Sequence, residues 1–479
     1  MSDFKKIDFG EISAEAERER NPLLIESGFI DLNSAEQEAI EGRKFLFLGY
    51  KGSGKSSIGE RIDLSQSGRY DRFVKKISLA DFPFTPFSKI IKGDIEPEAK
   101  YPAAWSWILL IYMIESFATD AAATHANVQE FENTLKAFKE LGVSPAASPA
   151  AIVMTSAKKT FSVKVPFDLL QYDHEDGQPK NPDSIFNFVD SLKKMALGVK
   201  SPNKHFLVID GLDEILTSKS VQYKSLYALM YEASVLNALF HGNNVPFKIV
   251  ILCRTDLFDK TPGPNKNKIR QPYAVDLDWY HDVNDPDNSM LIRGAGLRGK
   301  NSLGRDVDIF TEFLPRFVYD TPTKQYFLDM TRHTPRDFFQ LLSYVQKFHK
   351  AGVMTDGEVK SGLRDYSIKY FFPEIHDELS GYAEVGEINA IFTAIAAVGK
   401  RDFSYAELEA AWLEACDGQP NSATLLTICN AMFDCSAFGN IEQKKTTHYA
   451  YKYRNRLSTF SKAKKIMLHR GLWKAMNIQ

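Results

Sequence analysis

Through the first 280 residues, short apolar runs alternate with longer stretches whose apolar positions recur three and four apart. Phe45–Leu48, Phe206–Ile209 and Ile249–Cys253 are apolar without interruption, as expected of strands buried on both faces of a parallel sheet. Val74–Leu79 and Ala274–Leu277 are further strand candidates, and Phe161–Leu170 alternates like a strand. Helical spacing marks Tyr101–Phe117, Val128–Leu141 and Tyr223–Phe240. Pro182 and Asp183 open another helix, with Ile185, Phe188, Val189, Leu192 and Ala196 on one face and Gly198 past its end. Lys260–Gln271, rich in Pro, Gly and Lys, reads as a loop. Strands alternating with helices predict a three-layer α/β core with a parallel sheet.

After about residue 285 the pattern turns helical. Thr334 suits an N-cap, with Pro335 at the first helical position and Asp337 at the third. Ser404 and Glu407 form a capping box, another helix starts at Ser422, and strand-like stretches surround Phe438 and Tyr449. Three helices followed by a hairpin are the arrangement of a winged helix. The expected organisation is a leader docked on the core (1–40), a core (41–285) with a helical insertion at about 84–165, a helical lid (286–383) and a winged-helix domain (384–479).

Composition narrows this little. Of 479 residues, 44% are hydrophobic and 25% charged, the proportions of a globular protein. The polar amino terminus has no apolar stretch of signal-peptide type, which predicts a cytoplasmic location. Ala104–Ile114 is too short to span a bilayer and reads as a buried helix, so no membrane contact is expected. Cys253, Cys416, Cys429 and Cys435 lack the spacing of a zinc site or a disulfide framework. Net charge is −2, yet Gln443–Gln479 carries ten Lys or Arg and no acid. There Lys444, Lys445, Lys452, Arg454, Arg456, Lys464 and Lys465 interleave with Tyr449, Tyr451, Tyr453 and Phe460. Such a segment can grip phosphates and stack bases, or its lysines can simply face water.

The chemistry is concentrated behind the first strand. Gly49-Tyr50-Lys51-Gly52-Ser53-Gly54-Lys55-Ser56 matches G-x-x-x-x-G-K-[ST] without a break. Its glycines let successive amides turn inward around anionic oxygens, at the N-terminus of a helix that continues through Ile58 and Ile62. Gly49 to Ser57 are the expected nucleotide contacts, Lys55 reaching the β- and γ-phosphates and Ser56 a Mg²⁺ ion. Asp210, ending the buried run Phe206–Ile209, is placed to hold that ion with Ser56. Asp213 or Glu214 can orient or deprotonate the attacking water, Glu214 being the first choice. Arg254 ends the next buried run, where a guanidinium can sense the γ-phosphate. Arg336 can reach the nucleotide from the lid, and Pro335 can pack on the base. Arg293, Arg298 and Arg305 are candidates for an arginine finger, with nothing in the local pattern to select one.

Taken together, Gly49–Ser56, Val208–Glu214 and Ile251–Arg254 resemble the STAND group of signalling ATPases, in which a small residue follows the first acid. Thr334–Asp337 and the winged helix resemble STAND lids and the sensor 2 region of AAA+ proteins. The whole chain is similar to a family of bacterial P-loop ATPases with Phe-Gly and Ala-Glu near the start (Phe9-Gly10, Ala14-Glu15) and His-Arg-Gly-Leu near the end (His469–Leu472). The resemblance implies an ATP- and Mg²⁺-dependent switch in signalling or anti-phage defence, with self-association or a partner effector. One departure is His333-Thr334-Pro335, which has no glycine where STAND lids carry G-x-P. A GTPase is disfavoured, since Cys253–Asp256 fails N-K-x-D at two positions and Asp210–Asp213 is not D-x-x-G. The alternative from another class is a DNA-loading or remodelling ATPase that reads duplex with its winged helix.

Overall fold

The structure is a computed structural model that describes residues 2–91, 96–143, 147–158, 185–212, 220–263, 265–282, 284–416, 422–443 and 447–478. The chain divides into two compact units. A sheet unit comprises Asn33–Lys51 and Lys55–Leu277, and a helical unit comprises Met1–Leu32, Gly52–Gly54 and Asp278–Gln479.

The sheet unit is built on five parallel strands: β1 (Leu46–Gly49), β2 (Arg72–Ser78), β3 (Lys204–Asp210), β4 (Phe247–Arg254) and β5 (Ala274–Asp276). Their order is β2-β3-β4-β1-β5, and every pairing is parallel. Helices α1 (Ala35–Ile40), α2 (Lys55–Leu64), α3 (Pro97–Ala118), α4 (Ser220–Gly242) and α5 (Lys266–Tyr273) belong to the same unit. Continuous apolar strands need cover on both faces, and the two faces are covered differently. Leu207, Ile209, Ile249 and Ile251 pack in one core with Trp105, Ile108 and Leu229 of α3 and α4. Val208 and Leu252 point the other way, towards α2. There a Cβ on Gly59 would stand 3.0 Å from Leu252 and 3.5 Å from Val208, so glycine lets the helix lie close.

The expected insertion contains α3 and the helices Val128–Leu141 and Pro149–Lys158. Phe161–Leu170 and the start at Pro182 and Asp183 lie outside the described residues. One local expectation fails in part: within Lys260–Gln271, read as loop, the residues from Lys266 on belong to the helix α5 (Lys266–Tyr273). Its propensity is poor, but Ile269 is buried in the core and Arg270 binds Asp259 (3.0 Å) and Asp276 (2.5 Å), so tertiary contacts hold what local sequence does not.

Among the described residues, the helical unit packs one core that contains Phe9, Phe338, Phe371, Ile391, Trp412 and Phe438. The first residues, expected on the α/β core, belong instead to this one. Phe4 is fully buried and stacks on Phe313 with centroids 5.0 Å apart, Ile7 and Phe9 are buried beside it, and Gln346 donates to the Ile7 carbonyl at 2.8 Å. Three apolar side chains in nine residues need a ready-made cavity, and the helices beyond Asp278 supply it.

Helices α6 (Met290–Leu303) and α7 (Pro335–Gln346) precede the terminal assembly. That assembly holds α8 (Val385–Val398), β6 (Asp402–Phe403), α9 (Tyr405–Ala415), α10 (Ser422–Asp434), β7 (Phe438–Gln443), β8 (Thr447–Ala450) and β9 (Ile466–Leu468). The strands form an antiparallel sheet in the order β6-β9-β7-β8. Three helices and the β7–β8 hairpin make the winged-helix arrangement, with β6 and β9 added. The Ser404–Glu407 capping box is present.

Candidate nucleotide site

In a parallel sheet every strand ends on the same edge, and ligands of such sheets sit outside the carboxyl ends. Gly49 ends β1, Asp210 ends β3 and Arg254 ends β4. Register places Gly49 beside Arg254 and Asp210 beside Ser78. The loop after Gly49 turns through Gly52 at φ +82° and Gly54 at φ +87°, left-handed conformations that glycine adopts without strain. A Cβ on Gly54 would meet nothing within 4 Å. The backbone there is open to an incoming group.

Within the sheet unit, Lys55 is the first residue of α2 and is 3% exposed. Its Nζ donates to the carbonyls of Gly49 (3.3 Å) and Tyr50 (3.1 Å), which folds the amine across the mouth of the loop. Ser56 and Ser57 follow, half-buried in the same first turn. The Gly211 amide donates to Asp210 Oδ1 at 2.8 Å, and the Asp210 carbonyl accepts from Leu79. Gly211 has φ +77°, and a Cβ there would stand 2.9 Å from the Ala80 nitrogen, so the small residue after the acid is a steric requirement. Asp213 and Glu214 lie outside the described residues.

Arg254 is 7% exposed and forks onto Asp256, Nε to Oδ1 at 2.9 Å and Nη2 to Oδ2 at 2.8 Å. Burial acts to raise the Asp256 carboxyl, but the charge and hydrogen bonds of Arg254, with Lys260 and Lys55, hold it below the usual carboxylate range. Asp256 is therefore close enough to feel the phosphate-loop lysine. Asp256 is absent from the site predicted by the motifs. Its signal was there: an acid two positions after the arginine that ends a buried strand.

The crest of the loop, Gly52–Gly54, belongs to the helical unit. The Arg336 amide donates to the Gly52 carbonyl at 3.3 Å, and a Cβ on Gly52 would lie 3.1 Å from both Thr334 Oγ1 and Arg336 Cβ. Trp279, also absent from the predicted site, donates its indole N–H to the Ser53 carbonyl at 2.8 Å. Among the described residues, the buried Ser53 hydroxyl has no partner. Pro335 opens α7, and Thr334 caps it by accepting from the Asp337 amide at 3.3 Å. That turn is pinned from below: Arg332 binds Asp337 (2.8 and 3.0 Å) and Glu378 (2.5 Å), all three being buried. The Arg336 side chain leans towards Glu374 at 3.8 Å.

Among the three arginine-finger candidates, Arg298 is corrected. It is 8% exposed, bound to Glu17 Oε1 at 2.9 Å and to the Phe9 carbonyl, and its guanidinium lies 4.1 Å from the Phe339 ring centre, so it locks the amino-terminal segment in place. Arg305 pairs with Glu312 and Arg293 reaches Asn288, both at the surface.

The basic segment is also corrected in part. Tyr451 and Tyr453 are buried at 6% and 7% exposure and stack on each other, which leaves them no face for a base. Arg454 lies among the Tyr280, Tyr451 and Tyr453 rings and reaches Asp329 at 3.4 Å. Lys452 donates to the Ser458 carbonyl, Lys464 pairs with Glu442 and Lys465 with Asp402. Arg456 is exposed, and Lys444 and Lys445 lie outside the described residues. The acid-free stretch finds its acids elsewhere in the fold. Its family-like ending is structural too, since a Cβ on Gly471 would stand 2.7 Å from the Phe371 ring.

Parallel sheet, glycine loop and strand-end acid define a P-loop NTPase core with a helical unit that ends in a winged helix. No protein-family model matches the chain, and no curated protein matches it at a significant level. Among solved structures it is similar to Cdc6p from Pyrobaculum aerophilum, at 12% identity over 96% of this chain and 92% of that one, with a TM-score of 0.30. It is also similar to Drosophila ORC bound to DNA, at 11% identity over 97% and 98%, with a TM-score of 0.28. Superposition at that level carries neither fold nor function, which rest on the sheet and the loop themselves. No helix among the described residues is long and apolar enough to cross a membrane.

Proposed function

We propose that the chain is an Mg²⁺-dependent ATPase switch. The observation that carries this is found within the sheet unit: Gly49 ending β1, a lysine at the first position of the following helix and an aspartate ending β3 lie on one sheet edge, while the loop that leaves Gly49 turns through two left-handed glycines. The open backbone at Gly54 suits a phosphate oxygen, and Lys55 needs only to leave two carbonyls to reach one. One hydroxyl, Ser56, and one carboxylate, Asp210, would hold Mg²⁺, a donor set that suits an ion that keeps most of its water. Bound there, the ion supplies charge neutralisation at the β- and γ-phosphates.

Arg254 is the cation for the γ-phosphate, with Asp256 setting its direction. Glu214 is the residue for orienting the attacking water. The amide of Arg336 on the Gly52 carbonyl ties the loop crest to the first turn of α7, so a shift of that crest on filling passes directly into the helix. Resemblance to STAND proteins supports an output in signalling or anti-phage defence through self-association or an effector.

Calorimetry with Mg-ATP tests this reading. Wild-type chain gives a saturable heat. Asp210→Asn weakens the metal dependence, and Glu214→Gln keeps ATP affinity while turnover falls at least tenfold. No heat from the wild type ends the proposal, and a glutamine variant with parental turnover removes Glu214 from its role.

A further inference from the structure

The amino ends of the same strands border a cavity of about 470 Å³, wholly within the sheet unit. That volume lies inside the range of roughly 300–1,000 Å³ usual for small-molecule pockets. β4 has eight residues, which at about 3.3 Å each separate its two ends by roughly 25 Å. The cavity is therefore remote from the phosphate loop.

Its walls combine rings and cations. Phe45, Phe206, Phe247 and Tyr273 supply apolar surface, and Arg43, Lys204 and Lys248 supply charge, against one lining carboxylate, Glu41. None of the three cations has an ion-pair partner among the described residues. Lys248 Nζ donates to the carbonyls of Glu38 (2.7 Å) and Gly42 (2.8 Å), which leaves its third hydrogen without an acceptor there. Burial lowers its amine to about 7, and the charge of Lys204 pushes the same way against that of Glu38. An unpaired cation in a desolvated place is costly unless a counter-charge arrives. Arg43 and Lys204 are exposed at the rim, where they can meet an entering anion.

We propose that this cavity binds a small organic anion, its carboxylate or phosphate held by Arg43, Lys204 and Lys248 and its apolar body laid against the four rings. Anilinonaphthalene sulfonate, an aromatic anion that brightens in apolar surroundings, is the probe, titrated into the full chain. One saturable site is expected. Arg43→Glu and Lys204→Glu each weaken it at least tenfold with the circular dichroism spectrum unchanged, and Lys204→Gln gives an intermediate loss. Displacement by octanoate identifies a carboxylate ligand, and displacement by hexyl phosphate a phosphate ester. The proposal is overturned if the probe does not saturate, if both charge reversals bind as the parent does, if neither competitor displaces it, or if inorganic phosphate alone displaces it equally well. Mg-ATP binding at the loop is a separate measurement, so either result can fail without the other.

Discussion

Cations and hydroxyls gather at two places in this chain, with opposite outcomes. Along Gly49–Ser57 the backbone does the work: left-handed glycines turn the loop, a helix begins at Lys55, and the lysine rests on two loop carbonyls. Those two contacts are to carbonyl oxygens rather than to a carboxylate. Between Lys452 and Arg470 the same residue types are consumed by the fold. Arg454 and Arg470 converge on Asp329, with Tyr451 and Tyr453 buried beneath them. Cationic composition alone does not distinguish a binding site from a packed ion cluster. Whether each charge has already met its acid does.

The largest test of that contrast is Arg454→Ala. The Asp329 side chain is 18% exposed, and its partial burial raises the carboxyl although Arg470 and Arg454 counter it. The substitution leaves that carboxylate only Arg470 and takes the guanidinium from among three rings, so chemical denaturation should show a loss of about 3 kcal/mol, the lower end for a broken buried pair. A variant as stable as the parent would return Arg454 to the list of free binding charges.

Lys55→Ala is the reciprocal case. Losing the cation should weaken Mg-ATP binding about a hundredfold, near 2.7 kcal/mol, while the unfolding midpoint moves little. Calorimetry and denaturation on the same preparation read both. A stability loss without an affinity loss would make Lys55 a structural residue.

Acid exposes the cost of the packed region. His469 is buried and accepts from the Gly471 amide at 3.1 Å, and burial, with Arg332 nearby, brings it from the ordinary 6.5 down to about 3. His333, with no hydrogen-bond partner on either ring nitrogen among the described residues, is shifted the same way by burial and by Arg454. Both groups are neutral in folded and unfolded chains above about 6.5. As pH falls from there towards 3 the unfolded chain takes up protons that the folded chain refuses, so stability is lost through that window. Between pH 7 and pH 5 His469 alone contributes a loss of about 2 kcal/mol. Thermal melts at the two values measure it, and His469→Gln should flatten the dependence.

The smallest effect is expected for Lys464→Ala and Lys465→Ala. Each removes one pair at the rim of the terminal sheet, and exposed pairs contribute at most about 1 kcal/mol. If these variants instead abolish a salt-dependent DNA shift, the basic segment is a nucleic-acid surface despite its internal pairing.

Much of the site was legible because its signals are local. The loop is eight consecutive residues, Asp210 closes an unbroken apolar run, and the caps at Thr334 and Ser404 sit three residues from their partners. Arg254 was legible as a strand-end cation, but its fork onto Asp256 was not, since two-residue spacing can mean a pair or nothing until the chain turns into the next helix. Trp279 on the Ser53 carbonyl spans more than two hundred positions and leaves no trace in either neighbourhood. The same holds for β6 and β9, neighbours in one sheet although Asp402 and Met467 are far apart in the chain.

Residue order by itself therefore determined the parallel α/β core, the phosphate loop and the helix starts, because each depends on periodicity, glycine conformation or a cap within one turn. Tertiary structure alone decided which charges stay available. It sent Phe4, Ile7 and Phe9 into the helical core, paired Arg298 with Glu17, and left Arg43, Lys204 and Lys248 around a cavity with no ion-pair partner among the described residues. A charge is satisfied or left open by whatever other segments bring to it, and sequence spacing carries no record of that meeting.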